Sequence, residues 1–361
     1  MFTFTFQQEG CLDSRLVGGK AHGLAFMAAA GVPIAPGFTV TTKAYHAFLD
    51  AYGLRTRIAD VFSSLDVSSV TALEGAEHTI MEWLEAVPVP EVVASEVGRS
   101  YQQLCDAVGQ SDISVAVRSS ATSEDAEGTS FAGEYDTYVG IRGQSDVMRH
   151  VVKCWKSAFT ARSLAYVFKN GLWPLDIAMA VVIQKVVNAR AAGVMFTLSP
   201  LTGDRSRIVI EAAYGLGLSV VGGEVTPDRY SVRKIGLDIA DRVLGEKHIE
   251  YLSGDRASPV EEARRLQFCL SDEEIVDLAN YGKFLERQHQ HPVDIEFAVD
   301  RDLSPGQQVV LLQCRPETYW TSKHAAHTAD RVGNAATAVL ASVQRIGRAT
   351  DGFDKPIFEE K

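Results

Sequence analysis

A chain of 361 residues with 46% hydrophobic composition can bury one large core or two or three smaller ones, so a multi-lobed globular protein is expected. Its formal net charge of −11 argues against a general polyanion-binding surface, which removes nucleic acid as a partner and leaves room only for a local anion site. Five cysteines with no CxxC pair suggest neither a zinc site nor a disulfide framework, and no apolar stretch reaches the roughly 18 to 20 residues of a membrane span, so buried thiols and a cytoplasmic location are expected.

Along the chain, Gly18-Gly19-Lys20 opens a helix, AHGLAFMAAA, that Gly31 and Pro33 stop. From Tyr45 to Gln110 the apolar residues recur three or four apart, which predicts helical scaffold. At Ile113 the period becomes strand-like, and the strand runs through Arg118 into the hydroxyl-rich RSSATSEDAEGTSFAG. Tyr135-Asp-Thr-Tyr-Val139 reads as the return strand of a hairpin. Further strands are predicted at 179–187, 208–210, 293–299 and 309–314, with helices around 151–168 and 272–288. Beyond Trp320 the composition reads as a peripheral helix or tail.

Three places carry possible chemistry. In PVDIEFAVD the period of two puts Val293, Ile295, Phe297 and Val299 on one face and Asp294 and Glu296 on the other. In LLQCRPE it puts Gln313 and Arg315 on one face and Leu312 and Cys314 opposite. If the two strands pair through RDLSPGQQ, carboxylate, amide oxygen and guanidinium converge on a patch suited to Mg²⁺ and phosphate; an ordinary half-solvated hairpin is the alternative. Lys20 after two glycines fits either a phosphate ligand or a solvated lysine, and it lacks the full GxxxxGK[ST] pattern. Arg118, at the end of a buried strand, needs an anionic partner. The loop after it offers hydroxyls and free backbone N–H groups of the kind that wrap polyphosphate, against the alternative of a mere linker.

In order, GGKAHGLAFMAAAGVPIAPGF, VAVRSSATSEDAEGTSFAGEYDTY, VIQKVV with AGVMFTLSPLTG, IVIEAAYGLG with GGEVTPDRY, and DIEFAVD with QCRPET resemble the nucleotide-binding domain of the phosphoenolpyruvate synthase, pyruvate phosphate dikinase and rifampin phosphotransferase family over roughly residues 10–320. The resemblance implies an α+β ATP-grasp fold: an N-terminal lobe over 1–187, a C-terminal lobe over 188–320 and a tail over 321–361. It implies ATP and Mg²⁺ as cofactors, with the β-phosphoryl passing to a histidine, the γ-phosphoryl to water or phosphate, and AMP leaving. By matched motif, Lys20 and Arg118 hold phosphates and the loop with Thr129, Ser130 and Gly133 closes over them. Gln184 and the apolar residues after it lie near the adenine, and Glu211 near the ribose. Glu296 and Gln313 bind Mg²⁺, and Arg315 stabilises the transferring phosphoryl. The chain departs from the family pattern at Glu134, where glutamine is common, and at Leu218, where an acidic residue is usual.

Only about forty residues follow the Arg-Pro-Glu motif, too few for a swivelling histidine domain with its own core. Ser322-Lys-His324-Ala-Ala resembles the family's acceptor sequence but lacks its glycines and directly abuts the nucleotide domain. The expectation is therefore the ATP-binding subunit of a split dikinase, resembling phenylphosphate synthase, with the phosphoacceptor histidine and the acceptor-substrate site on a partner subunit. A fragment of a longer family member and a non-catalytic ATP sensor are the alternatives.

Overall fold

The computed structural model describes residues 1–122, 136–254, 256–317 and residue 320. The expected loop residues Thr129, Ser130 and Gly133, as well as Glu134 and His324, lie outside the described residues. Met1–Arg315 forms one compact unit and Pro316–Lys361 a second. In the second, the Trp320 backbone N–H donates to Glu317 Oε1 at 2.8 Å.

The fold is α+β. The helices are α1 (Ser14–Ala29), α2 (Thr42–Asp50), α3 (Leu54–Ser63), α4 (Val70–Ala86), α5 (Glu91–Val108), α6 (Gln144–Lys156), α7 (Ala161–Lys169), α8 (Leu218–Val221), α9 (Glu262–Arg265) and α10 (Asp272–His289). Strands β1 (Thr3–Thr5), β2 (Gly37–Val40), β3 (Val115–Ala121), β4 (Thr137–Ile141) and β5 (Met179–Lys185) form a five-stranded sheet in the order β1-β2-β5-β3-β4. Strands β6 (Ala189–Phe196), β7 (Arg207–Tyr214), β8 (Asp228–Arg233) and β9 (Ile239–Val243), with β12 (Val293–Asp300) and β13 (Val309–Pro316), form a six-stranded sheet in the order β13-β12-β6-β7-β8-β9. Between them in sequence, β10 (Ile249–Tyr251) and β11 (Ala257–Pro259) make a separate hairpin. Neither β6 nor β8 is among the strands expected from the sequence.

Each sheet has its own core. Val115, Val117, Val181 and Ile183 turn one face of the first sheet into the helical cluster that contains Tyr45, Phe48, Ile80, Trp155 and Phe159. The alternation then puts Ala116, Arg118 and Ser120 of β3, with Val182 and Gln184 of β5, on the other face. The second core joins α1 and α10 to Ile208, Ile210, Ile295, Phe297 and Val299 of the six-stranded sheet. All five cysteines are buried free thiols, and burial pushes Cys11 up to about 11 and Cys314 up to about 12. Among the described residues no helix is long and apolar enough to cross a membrane.

Helix α1 ties the two sheets together. Asp13 caps it through the Arg15 N–H, and at Gly18 the backbone leaves helical geometry with φ 70° and ψ 176°. A Cβ at Gly18 would run into the Ser120 carbonyl. Ser120 Oγ in turn donates to the Val17 carbonyl at 2.8 Å and accepts from the Ala21 N–H at 3.2 Å, so the turn is stitched to β3 two residues past Arg118. Gly18→Ala is expected to cost at least about 1–3 kcal/mol from backbone conformation alone, read as a lowered melting temperature.

Candidate functional site

The hairpin of β12 and β13 forms as expected, its turn closed by the Asp300 N–H donating to Gln308 O at 2.8 Å and the Gln307 N–H to Ser304 O at 3.0 Å. Val293, Ile295, Phe297 and Val299 are at most 1% exposed, while Asp294 and Glu296 turn to the other face and are partly exposed. Across the sheet, Glu296 stands opposite Val194 of β6, which stands opposite Glu211 of β7, so both glutamates rise from one face. They line a cavity of about 270 Å³ together with Asp294, Gln313 and Arg315. Val194, Phe196 and the α8 residues Val220 and Val221 supply its apolar wall. Arg315 lies with its Nε 3.5 Å from Asp294 Oδ2 and its side chain 45% exposed.

One expected alternation fails. Cys314 packs in the second core and Gln313 lines the cavity, but Leu312 packs beside Val310 in a small apolar cluster with Ala192 and Ala298, which lie on the cavity side. The side chains therefore change phase between Leu312 and Gln313, so that Leu312 and Gln313 share a side instead of opposing one another. Cys314, held away from the cavity and with its thiol pushed up by burial and then by Asp294, is not a nucleophile for it.

Arg118 reaches the hairpin from the facing sheet. Its Nη2 donates to Glu296 Oε2 at 2.9 Å and to Gln313 Oε1 at 2.7 Å. Arg118 does not end its strand as expected but sits in the middle of β3 (Val115–Ala121), which continues through Ala121; the anionic partner that its burial demands is Glu296, with the guanidinium side chain only 14% exposed. Its Nε is buried with no hydrogen-bond partner among the described residues. The same two bonds test the fit of a metal. Glu296 and Gln313 each present an oxygen close enough to share one cationic atom, the donor type a hard cation takes. Among the described residues no three His, Cys, Asp or Glu side chains group as a metal cage. A cation seated here would complete its shell from water and phosphate, the habit of Mg²⁺.

Lys20 and Gln184 do not line this cavity among the described residues. Lys20 is half-buried one residue before Ala21, whose N–H meets Ser120 Oγ of β3, and its charge reaches the Cys154 thiol of α6. Gln184 is buried, with Nε2 donating to the Ala35 carbonyl at 3.2 Å. Ala35 belongs to the apolar cluster of Val187, Ala189, Ala192, Leu216 and Val310, against which Val186 also packs. Glu211, expected beside a ribose, lines the carboxylate cavity itself. Sequence reasoning missed the Arg118–Glu296 pair and the α8 wall; the only signal for the wall was the departure at Leu218.

Residues 14–335 match the family model described as pyruvate phosphate dikinase, AMP/ATP-binding domain. The chain is 38% identical over 310 residues to a probable phosphoenolpyruvate synthase of Methanocaldococcus jannaschii, covering 85% of this chain and 26% of that protein. It is 36% identical over 345 residues to the probable phosphoenolpyruvate synthase of Staphylothermus marinus, covering 88% and 41%. With the phosphoenolpyruvate synthase of Pyrococcus furiosus it shares 33% over 372 residues, covering 91% and 45%. The chain thus spans less than half the length of these relatives. Among solved structures, D-alanyl-alanine synthetase A from Vibrio cholerae overlaps 82% of this chain and 54% of its own at 11% identity and a TM-score of 0.26. An ADP complex of N5-carboxyaminoimidazole ribonucleotide synthetase overlaps 70% and 58% at 10% identity and a TM-score of 0.25. On the family match and the sequence relatives, the chain belongs to the pyruvate phosphate dikinase AMP/ATP-binding domain family.

Proposed function

We propose that the chain is the MgATP-binding ATP-grasp subunit of a split dikinase, resembling that of phenylphosphate synthase, that sends the β-phosphoryl of ATP to a histidine on a partner polypeptide. The observation that carries this reading is that Glu296, Gln313 and Arg315 of β12 and β13 line one cavity, and that Arg118 of the facing sheet donates to both Glu296 and Gln313. In it the lobes divide between Lys185 and Ala189, where the first sheet ends and the second begins.

The apolar cluster beside Gln184 takes the adenine, whose flat apolar face such a cluster suits. Glu211 lies on the ribose side of the cavity. Lys20 and Arg118 hold the phosphates, and the loop with Thr129, Ser130 and Gly133 covers them. Glu296 and Gln313 hold Mg²⁺, which when bound would neutralise phosphate oxygens. Arg315, on the open side, faces the phosphoryl group as the histidine nitrogen attacks the β-phosphorus and the bond to the α-phosphate oxygen breaks, with AMP leaving. The γ-phosphoryl then goes to water or phosphate. Catalysis of this kind consists mostly of positioning and charge neutralisation. In this reading the acceptor histidine lies on a separate polypeptide.

The test is incubation with ATP labelled at the β-phosphate, alone and with candidate partner polypeptides. Label on the partner's histidine together with AMP supports the reading. Label accumulating on this chain overturns the split arrangement, and ATP binding without AMP from any partner identifies a nucleotide sensor instead.

A further inference from the structure

The two oxygens proposed as metal ligands, Glu296 Oε2 and Gln313 Oε1, are both engaged by a single nitrogen, Arg118 Nη2, at 2.9 and 2.7 Å. A divalent cation drawn to the same oxygens would meet a like charge at ligand distance, so metal and guanidinium compete for one seat. We infer that Arg118 is a latch, which keeps the ligand pair closed to free divalent cations and releases it when the phosphates of a nucleotide offer the guanidinium another anion. The inference rests on the phosphate-site reading above.

Two observations favour release to phosphate over simple displacement by metal. The Arg118 side chain is only 14% exposed, so a metal arriving alone would strand a buried cation, which is strongly unfavourable. Its Nε is buried with no hydrogen-bond partner among the described residues, so the resting guanidinium leaves a donor unused that a phosphate oxygen can accept. In the exchange, Glu296 passes from arginine to metal and Arg118 from carboxylate to phosphate, and no ion is left bare. Nucleotide and metal affinities are then coupled, each raising the other by the same factor. Arg118 is in this respect a positioning residue that sets when the metal seat opens.

The probe is Mn²⁺, counted by its free-ion paramagnetic resonance signal, with α,β-methylene ATP as an unreactive nucleotide. Wild type is expected to bind Mn²⁺ weakly alone and strongly with the nucleotide analogue. Arg118→Met is expected to bind nucleotide-free Mn²⁺ about tenfold tighter than wild type, an effect of one decade in Kd, and to lose most of the nucleotide dependence. Arg315→Met removes a like charge from the cavity that Glu296 and Gln313 line, where the contact of Arg315 is with Asp294, and should tighten nucleotide-free Mn²⁺ by much less. Circular dichroism checks that each variant folds, and Arg118→Gln, which keeps a donor but no charge, replaces Arg118→Met if the latter does not. Equal tightening by the Arg118 and Arg315 variants, or none by either Arg118 variant, overturns the latch while wild-type binding of Mn²⁺ with the analogue leaves the site intact. No binding of Mn²⁺ by wild type even with the analogue overturns the site reading and the latch together.

Discussion

Arg315→Ala is expected to lower AMP formation in the presence of the phosphoacceptor polypeptide by at least about 10²–10³-fold, the cost of removing one preorganised donor from developing charge. Nucleotide affinity should stay within about threefold of wild type, because the guanidinium acts on charge that appears in the transition state and not on the base. The geometry makes this a clean substitution. Arg315 is nearly half-exposed and meets the largely buried Asp294 at 3.5 Å, too long for a strong hydrogen-bonded pair, so its removal should cost no more than about 1 kcal/mol of stability. Arg315→Lys keeps the charge without the planar fork and should fall between the two. Single-turnover AMP release, measured beside equilibrium nucleotide binding, separates the effects; unchanged turnover in Arg315→Ala removes the residue from the chemistry.

The reason Arg315 could be singled out from sequence is that a hairpin carries its own geometry. Period two in PVDIEFAVD separates the buried Val293, Ile295, Phe297 and Val299 from Asp294 and Glu296 with no tertiary information, and the structure has that separation. The phase change at Leu312 was illegible for the converse reason: an irregularity in a strand is fixed by what packs on each side, and nothing in LLQCRPE marks it. Arg118 shows the same division. That a buried arginine requires an anion follows from electrostatics, but its partner Glu296 lies 178 residues away, and only the meeting of two sheets identifies it. The α+β class was legible because the helical run before Gln110 and the strands after Ile113 differ in period. Strand β6, ARAAGVMF, was missed because alanine and glycine give almost no polar contrast. Its small residues have a structural cause: a Cβ at Gly193 would run into the Glu211 carbonyl of the neighbouring strand.

Lys247 is the least legible residue of all, and its replacement by methionine carries the largest expected effect on stability. LGEKHIE reads as a solvated turn, yet both side chains of the Lys247–Asp228 pair are fully buried. Lys247 Nζ donates to Asp228 Oδ1 and to the carbonyls of Gly245 and Arg265. Asp228 also accepts the N–H groups of Gly245 and Cys269 at 2.9 and 2.8 Å. The GGEVTPDRY motif thus serves, at Asp228, as the anchor that holds the segment after β9 and the approach to α10 against β8. Lys247→Met strands the carboxylate, and the expected loss is about 3–5 kcal/mol. For a unit of this size that is a fall of roughly 5–8 °C in melting temperature. Asp228→Asn combined with Lys247→Met should recover part of the loss, since the amide oxygen still accepts the Gly245 N–H while no charge remains buried. A double variant less stable than Lys247→Met would show that the hydrogen bonds, not the uncompensated charge, dominate the anchor.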